Sequence, residues 1–235
     1  MLNHYEKLSK LKQFTDNVGK IYGTEDFAVY LYSIIKITKA RTIVELGTGL
    51  ATTTLWAALA LEENQDGIIH TVDDGSEWEH LSKAKDRFIQ YYSDKYNEYI
   101  SNVISDFELI DHVVFYNQRI QKLDITGDID IIFCDYSHGP YSIVKLLADY
   151  LPKMNSLSYI FIDSASTYYP SYHTLESLVS ILNQGRVPLT LDEMIDSKEK
   201  SAFIKKVQSS KFELTHIIEN KSRDQNSTAQ IKISP

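Results

Sequence analysis

Four acidic residues close short apolar runs in this chain: Glu45 after Thr42-Ile43-Val44, Asp73 after Ile69-His70-Thr71-Val72, Asp135 after Ile132-Phe133-Cys134, and Asp163 after Ile160-Phe161-Ile162. Acids scattered at random would not fall so regularly. The first is followed by Leu46-Gly47-Thr48-Gly49-Leu50-Ala51. Two glycines in that spacing let the backbone turn tightly and approach a ligand without a Cβ clash. Ala51 stands where a third small residue packs helix on strand in dinucleotide-binding turns. Asp73 follows at roughly the distance of a ribose-binding acid, and a carboxylate there can accept hydrogen bonds from both ribose hydroxyls.

Such acids act together only if the chain between them is wound as strand and helix in alternation. Runs over 41–46, 67–72, 113–116, 130–134 and 158–162 read as buried strands. The stretches 51–63, 77–106 and 140–151 read as helices, the second long enough to be kinked or split. Alternation of this kind implies right-handed crossovers and a parallel sheet covered on both faces, with ligands bound outside the carboxyl ends of the strands. Two helices over 3–39 precede the first strand. They break near Gly19–Gly23, with Thr24 as a cap for the second. After helices near 171–184 and 192–209, residues 212–219 and 228–233 read as strands joined by a polar turn, an antiparallel edge to the sheet. The expected fold is therefore a Rossmann-like, doubly wound, mostly parallel seven-stranded sheet. Residues 1–40 form a helical extension and 41–235 one domain.

Length and composition agree with this. The 235 residues suffice for one well-buried α/β domain, and 43% hydrophobic with 24% charged residues is ordinary for a globular protein. A net charge of −8 argues against a nucleic-acid partner, because an acidic surface repels phosphate backbones. The single cysteine, Cys134, allows no intrachain disulfide, which fits a reducing, cytoplasmic compartment. Residues 1–12 lack an apolar signal core, and no stretch approaches the roughly 18 apolar residues of a membrane helix. The composition leaves a homodimer open.

The segments Val44-Glu45-Leu46-Gly47-Thr48-Gly49, Val72-Asp73-Asp74 and Phe133-Cys134-Asp135-Tyr136-Ser137-His138 resemble class I methyltransferases that use S-adenosylmethionine, in particular the catechol-type and macrolide/sugar O-methyltransferases. The resemblance implies that Glu45 faces the cationic methionyl end of the cofactor. Gly47, Thr48 and Gly49 would line that portion, and Thr53 would bind its carboxylate. It implies that Asp73, with Asp74 beside it, takes the ribose, and that Arg119, Ile120 and Gln121 border the adenine. Asp135 and Tyr136 would flank the cofactor from the fourth strand. An ordinary loop role is the plain alternative for Gln121 and Tyr136. Glu45 also argues against a nicotinamide oxidoreductase, whose pyrophosphate a carboxylate at this turn would repel.

Methyl transfer from a sulfonium is an in-line displacement, so a hydroxyl acceptor needs its proton managed. His138, three residues past Asp135, stands where the resembling enzymes carry a lysine or histidine base. An imidazole can accept a proton near neutral pH without a large shift. Capping of the following helix is its structural alternative. The resemblance also implies a Mg²⁺ held by Asp135, Asp163 and Ser164, although serine replaces a stronger ligand there. Tyr168, Tyr169 and Tyr172 suggest an apolar acceptor wall, and 186–200 suggests a mobile lid. The acceptor expected on these grounds is a small-molecule hydroxyl. An amine or protein acceptor, or a protein that binds the cofactor without catalysis, stays open.

Overall fold

The computed structural model describes residues 3–22, 25–218 and 227–235. Gly23, Thr24 and the polar turn after residue 218 fall outside these. Helix α1 (His4–Tyr22) runs through Gly19 without a break, and α2 (Glu25–Thr38) buries Phe27, Ala28, Leu31 and Ile35. The fold is a seven-stranded, mostly parallel sheet with a C-terminal antiparallel hairpin. Two compact units make up the chain, residues 1–120 and 121–235.

In the first unit β1 (Thr42–Leu46), β2 (Ile68–Asp73) and β3 (Val113–Asn117) pair in parallel, with β2 central. The register sets Glu45 abreast of Thr71 and Leu46 abreast of Val72. Helix α3 (Thr52–Asn64) follows β1 and is buried from Thr52 to Leu61, as expected of a crossover helix sunk between neighbours. The 77–106 stretch is split: α4 (Trp78–Leu81), short 3₁₀ turns at Ser82–Arg87 and Ile89–Tyr91, then α5 (Tyr96–Asp106). Rings account for the break. Phe88 leaves helical geometry (φ −140°, ψ 31°), and its ring lies 6.0 Å from Trp78 and 5.2 Å from Tyr99.

In the second unit β4 (Ile129–Cys134) pairs in parallel with β5 (Met154–Asp163). β5 pairs antiparallel with β7 (Ser227–Ser234), and β7 with β6 (Lys211–Ile218). β5 begins four residues before its apolar run because the β4–β5 register shifts between Ile129 and Ile131. The Lys206 ammonium holds that irregular start by donating to the Met154 and Asn155 carbonyls at 2.8 and 2.7 Å. Helices α6 (Pro140–Tyr150) and α7 (Tyr169–Leu182) follow β4 and β5. The single helix expected over 192–209 is two, α8 (Leu189–Asp192) and α9 (Lys200–Ser209). The expected lid is anchored: Leu191 and Ile195 are buried, and Lys200 and Glu199 form ion pairs with Asp192 and Lys122 at 2.6 Å.

Candidate functional site

In the first unit the turn after β1 is built from unusual backbone. Gly47 (φ 104°) and Gly49 (φ 52°) occupy conformations that L side chains rarely adopt, and Ala51 (φ 66°) does so despite its Cβ. Ala51 is fully buried, in agreement with its expected packing role between helix and strand. The turn is held from β2. Asp73 Oδ2 accepts from the amides of both Thr48 and Gly49 at 3.1 Å, and Asp73 Oδ1 accepts from the Gly75 amide at 2.8 Å. The turn is held from α5 as well. The Tyr96 hydroxyl donates to the Gly49 carbonyl at 2.8 Å and the Tyr99 hydroxyl to the Leu50 carbonyl at 3.1 Å. A Cβ at Gly75 would stand 2.5 Å from the Tyr96 ring, so glycine is required for that approach.

Glu45 is 1% exposed. Its Oε2 accepts from the hydroxyls of Thr54 at 2.5 Å and Thr71 at 2.6 Å. Burial pushes the carboxyl up from 4.5 to about 7; the two hydroxyl donors pull it down, and the Asp73 charge adds a further push upward. A buried carboxylate that burial opposes and hydroxyls only partly offset is a place where a ligand cation is favoured. This is the observation that makes the first unit a fit for a cationic cofactor end. Thr53, on the first turn of α3, is buried. Asp74 is exposed; the Ser76 amide, at 2.9 Å, and the Arg119 charge hold its carboxyl below the usual range. Arg119 is exposed, like Gln121 of the second unit.

Sequence reasoning passed over Thr54, Thr71, Tyr96 and Tyr99. No local signal marks them: Thr71 shares its strand with another polar residue, His70, and its register with Glu45 is set by the sheet.

In the second unit β4 and β5 bring Asp135, His138, Asp163 and Ser164 together. Burial raises the Asp163 carboxyl, while Ser164, His138 and a hydrogen bond with the Asp135 carboxyl oppose the rise. His138 is half-buried, with its ring edge-on to Tyr168 at 6.1 Å. Its carbonyl accepts from the Ser171 hydroxyl of α7. The N-cap of α6 is Gly139, without a side-chain cap, so capping does not occupy the imidazole. Tyr136 is 46% exposed, and Cys134 is buried, its thiol pushed up to about 12. The aromatic wall divides: Tyr168 faces His138, whereas Tyr169 packs on His173 at 4.1 Å and Tyr172 stacks on His216 at 4.3 Å.

A divalent cation finds a poor donor set here. The third expected ligand, Ser164, is a neutral hydroxyl that donates to Asp163 Oδ2 at 2.6 Å, a weaker ligand than a carboxylate or amide oxygen, and Asp163 is itself tied to Asp135. Among the described residues no cluster of three or more His, Cys, Asp or Glu could hold a metal. None of the described helices is long and apolar enough to cross a membrane.

The fold is similar to that of solved methyltransferases. One is the O-methyltransferase TomG from Streptomyces achromogenes, involved in tomaymycin synthesis and solved with SAM: TM-score 0.53, 15% identity, covering 98% of this chain and 90% of that one. Another is an O-methyltransferase from Bacillus cereus solved with SAH: TM-score 0.52, 13% identity, covering 94% of this chain and 90% of that one. No curated protein matches the sequence. Residues 44–165, which run from the strand bearing Glu45 through Asp163 and Ser164, match the family model described as a methyltransferase domain, more than half of the 235 residues. This chain belongs to that methyltransferase family.

Proposed function

We propose that the protein is an S-adenosylmethionine-dependent O-methyltransferase acting on a hydroxyl of a small molecule, such as a natural product, sugar or phenolic compound. The observation that carries this reading is Glu45, a buried carboxylate beside a glycine turn that a second acid, Asp73, holds in place. When bound, the cofactor supplies an electrophilic methyl group on a sulfonium. Glu45 balances the cationic methionyl end, Gly47, Thr48 and Gly49 line it, and Thr53 binds its carboxylate. Asp73 and Asp74 serve the ribose, with Arg119, Gln121, Tyr136 and Asp135 bordering the remainder.

His138 takes the proton of the acceptor hydroxyl as its oxygen bonds to the methyl carbon and the carbon–sulfur bond breaks, its electron pair staying on sulfur. The Asp163 carboxyl, close enough for electrostatic coupling, steadies the imidazolium that results. No step runs through a metal. We further propose a cytoplasmic protein that does not act on nucleic acid, with residues 1–40 as a helical extension to one catalytic domain.

Calorimetry with S-adenosylhomocysteine and NAD(H) side by side tests the cofactor, and binding of the dinucleotide alone would overturn the reading. A panel of phenolic and sugar hydroxyls, amines and peptides tests the acceptor. Turnover confined to amines or peptides moves the assignment to an N- or protein-directed enzyme. Tight cofactor binding with every acceptor left unmethylated makes it a binding protein.

A further inference from the structure

We infer that Thr71 is a positioning residue for cofactor binding: its hydroxyl anchors the Glu45 carboxylate and turns the Thr48 hydroxyl into an acceptor toward the ligand. This rests on the cofactor reading above. The geometry is a chain of short contacts inside one unit. Thr54 and Thr71 both donate to Glu45 Oε2, at 2.5 and 2.6 Å, and Thr71 Oγ1 lies 2.6 Å from Thr48 Oγ1. Thr48 then connects through its amide to Asp73 Oδ2 at 3.1 Å. Thr54 and Thr71 are fully buried, Glu45 is 1% exposed and Thr48 5% exposed.

Counting protons fixes the polarity of this chain. A carboxylate only accepts, and each threonine hydroxyl owns one proton. Thr71 spends its proton on Glu45, so in its contact with Thr48 it must accept. Thr48 therefore spends its own proton on Thr71 and keeps only lone pairs for anything beyond. A hydroxyl so oriented favours an ammonium or other donor and disfavours a phosphate oxygen. The glycine turn is thereby tuned to the methionyl amine by a residue outside the turn.

The same chain sets when Glu45 is charged. Its two hydroxyl donors favour the ionised form, and the charged group acting against it is Asp73, on the same strand as Thr71. Removing the Thr71 hydroxyl should therefore carry Glu45 to higher pH, while serine should retain the bond.

The experiment is S-adenosylhomocysteine calorimetry from pH 6 to 9 on wild type, Thr71→Val and Thr71→Ser, with ligand-free thermal midpoints over the same range. Wild-type affinity should rise through about pH 7. Thr71→Val should bind about tenfold more weakly at neutral pH, the scale of one hydrogen bond to a charged group, with the inflection of both profiles moved upward. Thr71→Ser should follow wild type. Thr54→Val makes the same prediction through the other donor should Thr71→Val fail to fold. Equal affinity and an unmoved inflection in the valine variant would overturn the inference, as would a serine variant as weak as the valine one. Failure of wild type to bind at any pH would instead sink the cofactor reading. The ligand-free profiles would still decide whether Thr71 governs Glu45.

Discussion

Asp73 Oδ2 lies 3.1 Å from the amide nitrogens of both Thr48 and Gly49, so the acid that closes β2 is also the clamp on the glycine turn after β1. Ribose hydroxyls reaching this carboxylate would meet a group already fixed in position, which lowers the cost of ordering it on binding.

Asp73→Ala strips the acceptor from three amides, those of Thr48, Gly49 and Gly75. The expected cost is about 1–3 kcal/mol of stability, from amides left without their partner. S-adenosylhomocysteine affinity should fall at least tenfold, the weight of a charge-assisted hydrogen bond of about 1.5–3 kcal/mol. Chemical denaturation and calorimetry on the same preparation check both numbers, and unchanged affinity would remove Asp73 from the ribose site.

Glu45 makes stability depend on pH. Its carboxyl is raised in the folded state from 4.5 to about 7, so the folded chain holds this proton more tightly than the unfolded one. The stability this confers is complete below the unfolded value and is lost as pH rises through the folded one. Thermal midpoints should decline between about pH 5 and 7, within the window those two values set. Glu45→Gln, which keeps the shape without titrating, should flatten the decline. A slope that persists in the glutamine variant would place its source elsewhere.

Replacing His138 by alanine should lower turnover by about 10²- to 10⁴-fold, the usual contribution of a positioned general base. Cofactor affinity should hold, since the groups assigned to binding the methionyl and ribose ends lie on β1, β2, α3 and the turns that follow the two strands. Comparing turnover with S-adenosylhomocysteine affinity separates base catalysis from general damage. Unimpaired turnover ends the role of His138.

Chelation should leave the enzyme active. With only a neutral hydroxyl, Ser164, beside Asp135 and Asp163, and no third His, Cys, Asp or Glu clustered with them among the described residues, turnover in EDTA should match turnover with added Mg²⁺. Loss of activity in EDTA, restored by Mg²⁺, would make Asp135, Asp163 and Ser164 a cation site.

The strand positions and the places of the acids were readable because burial on both faces leaves an apolar run that a polar strand end interrupts. The glycine turn was readable because few residues tolerate its backbone. Thr54 and Thr71 were not, since a β-branched hydroxyl in a helix or strand looks the same whether it packs or donates a hydrogen bond. Nor was the clamp role of Asp73, which depends on side-chain direction rather than spacing. That the 77–106 stretch divides was legible from its length, but the place of the break was not, because packing among Trp78, Phe88 and Tyr99, not a proline or glycine, sets it. The early start of β5 depends on a register shift and a lysine from α9, neither of which leaves a mark in a local apolar pattern.

Trp78 lies 5.5 Å from Tyr96 and 4.8 Å from Tyr99, the two phenols that hold the carbonyls of Gly49 and Leu50. Any rearrangement of those carbonyls is passed through two rigid rings to an indole. Trp78, one of the chain's two tryptophans, thus stands where its emission should report a rearrangement of the turn without a label.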